Sequence, residues 1–379
     1  MSKELINNLI TLSIVLGFIC NATLTQFFPE LRTLFISSTL ILGSYKTLTF
    51  GRSKILIYIL ILILTLLLFN SKYYILINSY TDNAYFYCLI LGILISDNIF
   101  YLKKIMSWVI IINLLIMIYE IFKFEYFINI VSANKFEIGR YQGLFSYSKE
   151  ASYFLVISFL LFRHLGTSLS MKLFFLISSI FTGSRTSIIF IVFILVIDFL
   201  LKIDFKIIFA KQTIKYFFYS FLFLPPIVVF FNLYFIDNFI IYNRIMQSFD
   251  FQSSGHLDRI YYHNQYINYF QNYNFVEFFI GKGSFVGDKV GNGSENTWLT
   301  LFAETGLIGF LIYLVPILYI SFLSTKNFIK YYPFILLMIL MLFGRIALGW
   351  ADGILLWSLI FYIIYFNKKG YEKNYIHTI

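Results

Sequence analysis

WLTLFAETGLIGFLIYLVPILYISFL, residues 298–323, carries a single charged residue, Glu304, and ends on Ser324-Thr325-Lys326. A helix that crosses the hydrocarbon of a bilayer needs about 20 predominantly apolar residues, so this stretch reads as a transmembrane helix closed by a basic turn. The same unit recurs outward in both directions. Apolar stretches fall near 5–24, 33–50, 55–70, 84–101, 105–122, 151–162, 171–184, 185–201, 216–236, 298–323, 331–348 and 350–366. Several are shorter than a full span, and 171–184/185–201 and 331–348/350–366 each also read as one longer segment. Across all 379 residues, 59% are hydrophobic and 13% charged, against about a quarter charged in soluble domains. A globule must give part of its surface to water, which such a composition does not supply. In lipid the backbone must satisfy itself internally, in helices or a closed barrel, and continuous apolar runs without strict alternation reject the barrel. The expectation is all-α: a polytopic membrane helical bundle of about 12 transmembrane helices, one domain over 1–379. The apolar run after Met1–Lys3 reads as a retained first helix, since no cleavage-type end follows it.

Basic residues set the orientation. With a cytoplasmic N-terminus, the connections 51–54, 102–104, 163–172, 202–215 and 324–330 and the tail with Lys368, Lys369 and Lys373 all fall on the cytoplasmic side. The net charge of +10 is then an orientation signal and a contact for membrane lipid headgroups, not a nucleic-acid footprint. Both termini are expected in the cytoplasm. Two polar loops, 123–150 and the large 237–297, fall outside. Cys20 and Cys88 sit inside apolar runs and read as packing residues. Four scattered histidines make no metal-ligand cluster, so no metal is expected.

Charges that orientation does not explain are the candidates for chemistry, because an ionisable group at membrane depth is costly. Arg185 stands in Thr182-Gly183-Ser184-Arg185-Thr186, between two apolar runs. Arg345 is placed within the eleventh span, with Asp352 on the next, and an Arg345–Asp352 ion pair is its structural alternative. Arg140, Lys149 and Glu150 cluster at the mouth of the sixth span, where a solvated charge group is the plainer reading. In the large loop, His256, Asp258 and Arg259 precede an amphipathic segment over 260–270, with Ile260 and Ile267 on one face. Ser294 is placed to cap the tenth span, with Glu295 and Asn296 in its first turn. A helix N-terminus attracts phosphate, and arginine offers phosphate a planar fork. The outer face therefore suits an anionic, lipid-linked substrate.

In their order, the pieces Gly139-Arg140…Gly143-Leu144-Phe145, Thr182-Gly183-Ser184-Arg185-Thr186, Asp258-Arg259, Ile280-Gly281-Lys282-Gly283 and Glu295-Asn296-Thr297-Trp298-Leu299…Glu304-Thr305-Gly306-Leu307-Ile308-Gly309 resemble the O-antigen ligase and Wzy-type O-antigen (or capsular) polysaccharide polymerase superfamily. The similarity runs from about Arg140 to Trp357. It implies a GT-C-like membrane glycosyltransferase of the bacterial inner membrane, active on the periplasmic side, with no cofactor. A polymerase of this kind transfers a growing glycan from undecaprenyl diphosphate to a sugar hydroxyl of a second lipid-linked repeat unit. Direct displacement at the anomeric carbon inverts it. A chain-length regulator of the Wzz type is implied as a partner. The ligases carry a histidine where this chain has Glu295, which favours polymerase over ligase. Arg185 and Arg259 are then expected to hold the donor diphosphate, and Glu295 or Glu150 to take the hydroxyl proton. Arg140, Lys149, His256, Asp258, Asn296 and Arg345 are expected to line the substrate site. A ligase that transfers the glycan to lipid A core, and a glycolipid flippase, are the alternatives.

Overall fold

The computed structural model describes residues 2–19, 34–35, 38–39, 41–43, 45–46, 49, 84–123, 140–145, 148–202, 254–282, 296–342, 344 and 350–366. Among these residues the chain is helical throughout, with no strand. The elements are α1 (Lys3–Ile19), α2 (Ala84–Ile95), α3 (Ile99–Lys123), α4 (Ser148–His164), α5 (Leu169–Phe181), α6 (Arg185–Lys202), α7 (Ser254–Gln271), α8 (Phe275–Ile280), α9 (Thr297–Phe322), α10 (Phe328–Leu340) and α11 (Trp350–Phe366). The expected spans near 55–70 and 216–236 lie outside the described residues, as does most of 33–50.

Two stretches, Cys88–Lys123 and Thr297–Thr325, are long and apolar enough to cross a membrane. The first departs from the expected layout. The sequence places a connection at 102–104, but the helix runs through Lys103 and Lys104, and the break falls nearly two turns earlier, in a short 3-10 turn over Ser96–Asn98. Ser, Asp and Asn favour turns because their side chains compete for backbone hydrogen bonds. Lys46 then stabilises the bend, 3.1 Å from the Asp97 carboxylate and donating to the Leu94 carbonyl at 3.1 Å. The two ambiguous pairs resolve as separate helices. α5 ends before a turn at Thr182-Gly183, and α10 ends at Leu340, short of α11.

Sidedness follows from where the apolar residues point. α4 is buried on nearly every side from Ala151 to Phe162, and α11 from Asp352 to Ile363, so these two form the centre. α11 packs on α2, α4 and α9. At that crossing Tyr313 meets Trp357 edge-on, with ring centroids 4.8 Å apart, a geometry worth about 0.5–1.5 kcal/mol beyond burial. The surrounding helices bury one face and turn large apolar residues outward, as in Trp108, Ile112, Leu115, Tyr119 and Phe122 of α3 and Ile308, Leu311, Val315, Leu318 and Phe322 of α9. Both stripes repeat every three or four residues, the period of one helix face.

The bundle has two distinct ends. At one, Lys103 donates to the Gly166 carbonyl, and Arg163 at the end of α4 reaches the carbonyls of Ile329 and Lys330 at the start of α10. The connections 163–172 and 324–330 therefore lie together, with Lys103 and Lys104; we call this the basic end. At the opposite end, the loop 140–145, the turn between α5 and α6, the start of α9, the turn after α10 and the starts of α4 and α11 converge.

Candidate functional site

The loop 140–145 is hung from α3 by two buried side chains. The Glu120 carboxylate accepts the backbone N–H groups of Gln142 and Gly143 at 2.9 and 3.1 Å, and the Asn113 carbonyl oxygen accepts that of Leu144 at 2.8 Å. A buried carboxylate is costly without donors, and here the loop backbone supplies them. On its other side the Tyr141 N–H donates to the Phe181 carbonyl at 3.0 Å, and the two rings meet edge-on. Arg140 is thereby exposed beside the turn that leads into Arg185, the first residue of α6. The structure thus brings the backbones of two sequence-predicted arginines to one place. Neither Glu120 nor Asn113 was singled out from the sequence. The available signal was an acid and an amide at helical spacing within an otherwise apolar run.

Lys149 and Glu150 open α4. The Glu150 side chain is exposed at the mouth of α4, with protein crowded about its base. Desolvation, and then the negative charge of Asp352, push its carboxyl up to about 7. Arg345, the alternative ion-pair partner of Asp352, lies outside the described residues; Asp352 lies within electrostatic reach of Glu150. Asp352 is buried at the start of α11, so two carboxyl groups distant in sequence come within electrostatic reach where α4 packs on α11.

The start of α9 closes this end. Ser294 was expected to cap the helix, with Asn296 inside its first turn. Instead Asn296 is the cap: its side-chain oxygen accepts the Leu299 N–H at 3.0 Å, and the helix begins at Thr297. Asn296 is extended there, as a cap must be, because its side chain has to reach forward to the free N–H groups. Thr297 then ties the helix start to the turn after α10. Its hydroxyl donates to the Gly344 carbonyl at 2.6 Å, and its N–H to the Met341 carbonyl at 2.8 Å. Gly344 also lies against the Tyr153 hydroxyl of α4, 3.0 Å from where a Cβ would stand. The starts of α4 and α9 are therefore joined through the turn after α10, which places Glu150 and Asn296 at one end of the bundle. Glu295 lies outside the described residues.

His256, Asp258 and Arg259 occupy the first turns of α7. The amphipathic segment expected over 260–270 is helical, but it packs by a different face. Ile260 and Ile267 point outward, while Tyr266 is fully buried against Ala303. The glycine motifs of the large loop and of α9 prove to be two halves of one joint. α9 is broken at Gly306, whose backbone is left-handed (φ 63°), and Gly281 opposite it is also left-handed (φ 78°). A Cβ on Gly306 would stand 2.5 Å from the Gly281 nitrogen, so only glycine lets the two backbones meet. The break frees the Ala303 carbonyl, which accepts from the Tyr273 hydroxyl at 2.6 Å and the Lys282 N–H at 3.3 Å. The large loop is thus locked into α9 one and a half turns or more below the helix start.

Among the described residues no group of three or more His, Cys, Asp or Glu side chains is placed to hold a metal ion. No protein-family model matches the chain, and no curated protein matches it.

Proposed function

We propose that the chain is a multi-pass membrane glycosyltransferase that polymerises a lipid-linked glycan at the outer face of the bacterial inner membrane. The observation that carries this reading is the gathering, at the end opposite the basic turns, of Arg140, the start of α6 at Arg185, Glu150, Asp352 and Asn296. By the orientation read from the basic connections, that end faces the periplasm. The outward apolar stripes of α3 and α9 support its placement in lipid, since soluble proteins rarely expose contiguous apolar patches of that length.

The chemistry follows from charge. The donor is a glycan on undecaprenyl diphosphate, and the acceptor is a sugar hydroxyl on a second lipid-linked repeat unit. Arg185 and Arg259 are assigned to the diphosphate, where fixed cations stabilise the negative charge that develops as the anomeric C–O bond breaks. Glu150 is assigned as the base that takes the acceptor hydroxyl proton as the new bond forms. A carboxyl that titrates near neutrality suits this step, since general bases work best when their pKa lies near the working pH. Glu295 is the alternative base. The acceptor oxygen attacks opposite the leaving diphosphate, so the anomeric centre inverts. Undecaprenyl diphosphate leaves with its charge held by the arginines. A chain-length regulator is the proposed partner.

One observation favours a second reading. Broken helices are typical of transporters, and α9 is broken at Gly306, so translocation of a lipid-linked glycan is the rival.

The test is a glycan ladder from a deletion strain complemented with the wild type, Arg185→Ala, Arg259→Ala or Glu150→Gln. A single repeat unit on lipid A core in the deletion and in all three variants is expected. Long polymer retained on undecaprenyl diphosphate would identify a ligase. Repeat units trapped on the cytoplasmic leaflet would identify a translocator. Normal polymer from either arginine variant would remove that arginine from the site.

A further inference from the structure

The short helix α8 has two unlike edges. Its polar edge is fully engaged. Asn274 and Glu277 form a reciprocal cap, with the Glu277 N–H donating to the Asn274 side chain at 2.9 Å and the Asn274 N–H to the Glu277 carboxylate at 3.0 Å. Lys282 lies 3.4 Å from that carboxylate and 4.9 Å from the ring centres of both Tyr269 and Tyr273. The other edge is apolar and uncovered: Phe275 is 79% exposed, Val276 49% and Phe278 41%. The helix is therefore preformed by its polar contacts, and its aromatic residues are not held outward for the sake of its own fold.

Where α8 sits indicates what covers this edge. It packs on α9 at the break, with Phe278 edge-on to Phe302 at 5.5 Å. The outward apolar stripe of α9 begins at Ile308, two residues beyond Gly306, and continues through Leu311 and Val315. The exposed edge of α8 thus continues a surface that, on the proposed membrane reading, faces lipid. Short amphipathic helices with aromatic residues on one side lie in the interface with that side about 5–10 Å into the acyl boundary.

We propose that α8 is a membrane-interface anchor: Phe275, Val276 and Phe278 insert into the outer leaflet and hold the large loop against the bilayer. The occupant is bilayer hydrocarbon, and the inference rests on the membrane reading of α9.

The experiment uses full-length protein with Cys20→Ser and Cys88→Ala, reconstituted in phosphatidylethanolamine and phosphatidylglycerol vesicles. Spin labels are placed at Phe275→Cys, Phe278→Cys, Val315→Cys and Asn268→Cys, and collision with oxygen is compared with collision with a water-soluble nickel chelate. The oxygen-to-nickel ratio at 275 and 278 is expected to approach that at 315 and to exceed that at exposed Asn268 on α7. A nickel-accessible 275 and 278 with a lipid-like 315 would overturn the anchor alone. Nickel access at 315 as well would overturn the membrane reading of α9. Labels at 275 and 278 shielded from both reagents would overturn the anchor in favour of a protein contact, and dipolar broadening there would identify a second copy of the chain. Two label sites keep the result readable if one variant fails to fold.

Discussion

The two ends of the bundle each bring an acid from one helix to a charged group on another, with opposite outcomes. At the basic end Asp198 of α6 meets cations. The Arg163 guanidinium donates to it at 2.6 to 3.2 Å, Lys172 stands 3.6 Å away, and the Tyr332 hydroxyl donates at 2.8 Å. Arg163 also lies over the Tyr332 ring. This is a closed network, in which the acid joins α4, α5, α6 and α10. At the opposite end desolvation, and then the nearby charge of another acid, Asp352, hold the proton of Glu150 of α4 more tightly. An acid beside a base makes a brace; an acid beside an acid makes a group poised to exchange a proton near neutral pH. Arg163 at the basic end is thus explained by structure.

The largest expected effect breaks the brace. Arg163→Ala removes the closest cation from part-buried Asp198 but leaves Lys172 and Tyr332, a loss of about 1.5–3 kcal/mol. A fall in melting temperature and in recoverable monodisperse protein in detergent checks it. A variant that melts like the wild type would show that the brace is not what holds this end. At the other end Glu150→Gln is expected to lower polymer formation by about 10²-fold or more, with the melting temperature not lowered. A polymerisation rate within a few-fold of the wild type would shift the base to Glu295.

A smaller effect reads the pair through pH. A free glutamic acid titrates near 4.5 and Glu150 near 7. The folded state thus binds the proton more tightly than the unfolded one, so its contribution to stability is complete below about 4.5 and is lost as the pH rises through 7. Activity requires the ionised base and is expected to rise over the same limb. Asp352→Asn removes the neighbouring negative charge and should move both limbs to lower pH. A pH–rate profile and melting curves across pH 4 to 9 check this, and an unmoved acid limb would separate the two carboxyls. The smallest effect compares two helix caps. Asn296 caps α9, and Asn327 caps α10 by accepting the Lys330 N–H at 3.1 Å. Each Asn→Ala change should cost about 1 kcal/mol, and melting curves should show the two alike. Only Asn296→Ala should also lower polymer formation.

Much of the helix layout was legible because apolar runs and basic turns are local. The span read from residues 298–323 is α9 at 297–322, while the ambiguous pair 171–184/185–201, left open by its sequence, divides at Thr182-Gly183. The misses have physical reasons. The bend at Ser96–Asn98 was hidden because the Lys103-Lys104 pair is the louder signal, yet lysine is a good helix former. The cap of α9 was placed two residues early because Ser294, Glu295 and Asn296 are all good helix-start residues, and only the tie from Thr297 to Met341 and Gly344 fixes the first turn.

The order of apolar and basic segments by itself determined an all-helical bundle and which helix ends share a side, because both depend on each residue's own preference for water, lipid or charge. The tertiary structure alone decided which charges meet: Arg163 with Asp198, Glu150 with Asp352, Lys46 with Asp97. It likewise decided that Gly281 and Gly306 form one joint. These partners lie on different elements, and their energies depend on distances of a few ångströms that no local pattern records. The Coulomb energy of a charge pair changes with separation and burial, so only the packed chain distinguishes a brace from a proton site.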